Sequence, residues 1–106
     1  MRSLRDTFET FRSLGVVSSG REFGPAMMGC GESYLSSSIA RNRRPSTESL
    51  LALIANVSEI IKVTNEEASR CKDKKLRDDY LEGALALKEL QTETWEEIWG
   101  RVAARP

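Results

Sequence analysis

Between Thr47 and Cys71, the residues Leu50, Ile54, Val57, Ile61, Thr64, Ala68 and Cys71 follow one another at alternating steps of four and three. An α-helix brings such positions to one side, so the spacing predicts a helix carrying a seam three heptads long. Leu53 and Ile60 widen the seam to roughly 120° of arc, which suits a bundle face better than a narrow two-stranded coil. Thr64-Asn65-Glu66-Glu67 has the spacing of a capping box and marks a point where this helix divides if the box is used.

A second helix is predicted from Lys74 to Ala103. Leu76, Tyr80, Ala84, Leu87, Leu90, Trp95, Ile98 and Val102 fall within one broad face at 100° per residue, and Leu81 and Trp99 extend it. The opposite arc is acidic: Asp78, Asp79, Glu82, Glu89, Glu93, Glu96 and Glu97. Such an arc is either a solvated face or the surface that meets a basic partner, with the chain's own Arg41, Arg43 and Arg44 as candidates. Gly83 beside Ala84 and Ala86 points to close helix contact. Between the two helices, Arg70 to Arg77 holds five basic residues in eight positions. Continuing the four-three pattern past Cys71 reaches Lys75, Asp78 and Glu82, all polar. The apolar face therefore changes phase near residue 72, which predicts a turn and an antiparallel hairpin rather than one continuous helix.

Residues 1–45 read differently. They hold five of the seven glycines and carry seven basic residues against four acidic, whereas residues 46–106 carry nine against twelve. A short helix is predicted over residues 2–14, with Ser3 and Asp6 at capping-box spacing, Leu4, Phe8 and Phe11 on one side, and Gly15 as its stop. Gly20 to Gly31 reads as loop, and Glu32 to Arg41 as a further short helix with Tyr34, Leu35 and Ile39 as its apolar side. The expected architecture is all-α: an antiparallel helical hairpin, coiled-coil-like or a small bundle, over 46–106, behind a partly flexible Gly/Ser/Arg-rich leader over 1–45.

Composition narrows the chemistry. The chain has 106 residues, enough for one domain. Sixteen basic and sixteen acidic residues give a formal net charge of zero, so bulk charge does not make it a coat for nucleic acid. It contains no histidine and two cysteines, Cys30 and Cys71, too few ligands for a four-coordinate zinc site in one chain. No histidine is present to activate the thiols or the serines. The expectation is a protein that is not an enzyme and needs neither cofactor nor metal. The longest apolar run, Leu50 to Ala55, is too short to span a membrane, and Met1 to Gly20 lacks the apolar core of a signal peptide. Reduced thiols in the cytoplasm follow as the expectation. The alternative is organellar import through Arg2, Arg5 and Arg12 of the first segment, against which Asp6 and Glu9 weigh. Arg43-Arg44-Pro45-Ser46 places two arginines before a serine, so Ser46 is a candidate phosphosite as well as the N-cap of the helix that follows.

Two amphipathic helices cover each other only in part, and the surplus apolar area must be met by the leader, a second copy or another subunit. The predicted function is a protein–protein interaction module or adaptor subunit that assembles into a homo- or hetero-oligomeric bundle. Its interface is expected at Leu50, Ile54, Val57 and Ile61 on the first long helix and at Leu87, Trp95, Ile98 and Trp99 on the second. Tyr80 and the two tryptophans serve either as core anchors or as interface anchors. The alternative is a small RNA-binding accessory protein, viral in style, with Arg41, Arg43, Arg44, Lys72, Lys74, Lys75 and Arg77 contacting nucleic acid or an acidic partner.

Overall fold

A computed structural model describes residues 1–105. Its helices are α1 (Leu4–Ser13), α2 (Gly20–Phe23), which runs on as a π-helical turn over Gly24–Met28, α3 (Tyr34–Ala40), α4 (Thr47–Arg70) and α5 (Lys74–Ala103), and no strand occurs among the described residues. Short polar side chains set the starts of the three longest. The Ser3 hydroxyl accepts from the Asp6 amide at 3.0 Å, and the Ser46 hydroxyl from the Ser49 amide at 3.1 Å. The Asp73 carboxylate accepts from the amides of Lys75 and Leu76 at 2.9 and 3.3 Å. Each satisfies an amide that has no partner inside its helix. Two stops share one geometry. Gly15 (φ 76°) and Asn42 (φ 51°) adopt the left-handed conformation. The next amides, of Val16 and Arg43, then reach back to the carbonyls of Phe11 and Ser38 at 2.9 Å each. This double return ends α1 and α3 and turns the chain sharply.

α4 and α5 lie side by side, linked by Cys71, Lys72 and Asp73. Arg101 donates to the Thr47 hydroxyl at 3.1 Å, and the Gln91 amide donates to the Ile54 carbonyl at 3.0 Å and to the Ser58 hydroxyl at 2.7 Å. The end of α5 is thus beside the start of α4, so the two run antiparallel. α4 is unbroken through Thr64–Glu67, where the capping-box spacing allowed a division.

The core joins both parts of the chain. Phe11, Val17, Phe23, Met27, Met28 and Leu35 pack in one cluster with Leu50, Leu53, Val57, Leu87, Leu90 and Ile98. The Asn56 side-chain amide donates to the Met27 carbonyl at 3.1 Å and ties α4 to the π turn. The segment read as a glycine-rich loop therefore differs from expectation. Residues 20–28 are helical, and Phe23, Met27 and Met28 are at most 2% exposed. The physical reason lies at Gly24, where a Cβ would stand 2.2 Å from the Gly31 carbonyl oxygen and 2.9 Å from the Tyr34 Cβ. Glycine serves here for close approach of two chain segments, not for freedom. Gly83 does the reverse: a Cβ there meets only a Leu14 methyl at 3.9 Å, so close helix contact does not account for it.

Two substitutions test this packing. Gly24→Ala should lower the urea-unfolding stability by about 2 kcal/mol through overpacking. Gly100→Ala, in an exposed stretch of α5 with nothing within 4 Å of the new methyl, should raise it by about 0.5–1 kcal/mol. Equal behaviour of the two variants would contradict the close approach at Gly24.

Candidate interaction site

The broad apolar face predicted for α5 divides in two. Ala84, Leu87, Leu90 and Ile98 point inward and are buried. Leu81, Leu85, Trp95, Trp99 and Val102 are exposed, Leu85 by 71% and Trp99 by 61%. With the exposed Lys88 and Thr92 between them, these residues follow one another at steps of four and three, as a second seam on the outer side of the same helix. Trp95 and Trp99 stack within it, ring centroids 6.2 Å apart and planes inclined by 21°. The pair presents a rigid apolar surface at low entropic cost.

The predicted interface residues therefore have two fates. Leu50, Ile54, Val57, Leu87 and Ile98 are spent in the chain's own core, and Ile61 packs half-buried against it. Trp95 and Trp99 face outward. Leu81 and Leu85 stand beside them on the outer seam. Leu81 stands at the edge of the one broad face that the sequence predicts, and Leu85 is missed by that prediction, although its spacing of four from Leu81 and ten from Trp95 places it on the outer seam.

A second feature lies at the other end of the molecule from the α4–α5 turn. Arg2, Arg5, Arg43, Arg44, Ser38 and Glu97 line a cleft of about 400 Å³. The Schellman-type return after α3 carries Arg43 and Arg44 toward the start of α1. Arg5, Arg43 and Arg44 have no carboxylate within 4 Å among the described residues. Arg2 and Arg5 were not among the predicted contacts, because their proximity to residues 43 and 44 depends on how the N-terminal layer packs. Arg41 is exposed nearby in sequence, while Lys72 of the α4–α5 link and Lys74, Lys75 and Arg77 at the start of α5 lie by the far end of α4, about 36 Å away along that helix. The two basic clusters do not form one patch.

Part of the acidic arc of α5 is satisfied within the chain, though not by Arg41, Arg43 or Arg44. Arg2 donates to Glu93 through two of its nitrogens, at 2.6 and 2.9 Å, and Arg101 pairs with Glu97 at 3.3 Å. The Arg2 hydrogen bond, aided by its charge, holds the Glu93 carboxyl below the usual carboxylate range. Ser46 is exposed and occupied in capping α4. The Cys30 thiol lies 3.4 Å from the Ser49 hydroxyl, and both cysteines are free thiols. The enclosed Tyr34 hydroxyl has no hydrogen-bond partner among the described residues, and burial pushes its pKa up. Among the described residues no cluster of three side chains suited to a metal occurs, and no helix is long and apolar enough to cross a membrane.

A family described as "Family of unknown function (DUF6626)" matches residues 4–105. The chain belongs to this family. The match runs from the first residue of α1 past the end of α5, so all the helices, the outer seam, and Arg5, Arg43 and Arg44 of the cleft fall within the family's extent, while Arg2 precedes it. No curated protein and no solved structure matches the chain.

The Arg2–Glu93 pair sets a pH dependence. A carboxyl whose folded pKa is depressed adds stability above its unfolded pKa, near 4.3, and loses it as pH falls through the folded value. Glu93→Gln should therefore cost about 0.5–1 kcal/mol at pH 6, and its deficit should close as pH falls below the unfolded value of about 4.3. Denaturation measured across that window checks this; a deficit independent of pH would contradict the ion pair.

Proposed function

We propose that this chain is a non-enzymatic interaction module. In this reading α4 and α5 form a helical hairpin, stiffened by the N-terminal layer, that assembles into a homo- or hetero-oligomeric bundle through the outer seam of α5. The observation that carries the reading is that seam: an exposed apolar stripe with a stacked tryptophan pair on the longest helix of a domain whose core is already filled. Stripes of this kind mark association sites more often than idle surface. The cytoplasm, with its reduced thiols, is the setting that suits two free cysteines. The adaptor role fits a small domain that offers a surface and no reactive constellation.

A second reading is favoured by a separate observation. Residues 20–28, the turn from Gly29 (φ 65°) to Ser33 and α3 follow one another in the order of a helix–turn–helix, with exposed Arg21 and Arg41 at its edges and Arg43 and Arg44 just beyond. Such a unit lays its second helix in the major groove of B-form DNA. The corresponding groove of an RNA duplex is too deep and narrow, so duplex DNA fits this geometry better than the RNA expected from the basic clusters.

The first reading is tested by light scattering after gel filtration of the purified full chain, together with affinity capture from its native cells. The chain should elute as an oligomer or with a stoichiometric partner, and Leu85→Asp should release it without loss of helical signal. A monodisperse monomer with no companion would contradict it. The second is tested by fluorescence anisotropy on short labelled duplexes at low salt. DNA should bind more tightly than RNA, and Arg43→Glu/Arg44→Glu should weaken binding about tenfold or more.

A further inference from the structure

We infer that the outer seam of α5 is covered by the same seam of a second copy of this chain, running antiparallel about a two-fold axis at position 90. The inference rests on the assembly reading above and commits it to one partner.

The spacing carries it. Leu81, Leu85, Lys88, Thr92, Trp95 and Trp99 are all exposed, and their steps of four, three, four, three and four read the same in both directions. A two-fold, antiparallel pair of helices matches each residue to the one equally far on the other side of the centre. Leu81 then faces the second copy's Trp99, and Leu85 faces its Trp95. Lys88 faces Thr92. Each apolar layer pairs one leucine with one tryptophan, so the layers have equal volume along a seam about 27 Å long. Every one of the six positions finds a counterpart, and the exposed Val102, the outermost residue of the seam, falls level with the second copy's Asp78 at the end of the contact.

Charge favours the same orientation. A parallel pairing would set Lys88 directly against Lys88, and like charges placed so oppose association. The antiparallel pairing sets Lys88 against an uncharged threonine. The second copy's Glu89 and Glu96 then lie one helical turn to either side of that threonine, within reach of the lysine's flexible stem. Lys88 is the one cation inside the seam, and this arrangement supplies it with carboxylates. The contact is isologous, so it covers both seams at once and closes at two copies.

The test uses the full chain. Sedimentation equilibrium should give a dimer, and Leu85→Asp should raise its dissociation constant about 30-fold or more while the helical signal is unchanged, since residue 85 is exposed. In a Cys30→Ala/Cys71→Ala background, Leu85→Cys/Trp95→Cys should oxidise to a covalent dimer, and Trp95→Cys alone should not. Three results overturn the inference. Cross-linking by Trp95→Cys alone would mean parallel pairing, and assembly through α5 would stand. A dimer indifferent to Leu85→Asp would remove both the register and the assembly surface. A monomer at all concentrations would exclude the second copy, leaving assembly to be judged by whether a different chain is released by Leu85→Asp.

Discussion

The contact between α4 and α5 is pinned by one buried polar side chain. Gln91 is 5% exposed, and its amide bonds both the Ile54 carbonyl and the Ser58 hydroxyl. Apolar side chains tolerate a slide along the helix axis, whereas a buried amide cut off from its partners costs about 1–3 kcal/mol. The glutamine therefore fixes which turn of α5 lies beside which turn of α4. With that register set, Leu87 and Leu90 join Leu50, Leu53 and Val57 in the core, and Arg101 arrives at Thr47.

The rest of the structure follows from that fixed pair. α4 gives its apolar side to α5 and to the N-terminal layer together, so few of its large apolar side chains are left over. α5 is longer and carries apolar residues around more of its circumference. Its inward seam closes the core, its acidic side takes Arg2 and Arg101, and its outer seam is left uncovered. The N-terminal layer docks by Phe11, Phe23, Met27 and Met28, and the turn after α3 gathers Arg43 and Arg44 with Arg2 and Arg5 at one cleft. The apolar seam and the basic cleft are thus consequences of one packing arrangement.

Much of this was legible from spacing. The ends of α4 and α5 fall within a residue of expectation, because Ser46, Asp73 and the phase change near residue 72 are local signals that tertiary structure does not override. Ser3 and Gly15 bound α1 for the same reason. The segment from Gly20 to Gly31 was misread because glycine has two uses that look alike in sequence. Gly24 permits a neighbour to approach, and that neighbour, Gly31 with Tyr34, is defined only once the fold exists. The outer seam was half legible. Trp95 and Trp99 were expected at an interface, but Leu50, Val57 and Leu87 were expected there too and lie in the core. Periodicity reports which residues share a face; it does not report whether the chain itself or a partner covers it. The composite cleft was not legible at all, since Arg2 and Arg43 are distant in sequence.

The central claim is that the N-terminal layer and the α4–α5 pair share one core and fold as one unit, leaving the outer seam as the free apolar surface. Native-state hydrogen exchange on the full chain tests it most directly. The amides of Met27 and Met28 should exchange at the same rate-limiting opening as those of Leu53, Val57 and Leu90, in a single cooperative class. Fast exchange throughout residues 1–45 beside a slowly exchanging α4 and α5 would contradict it.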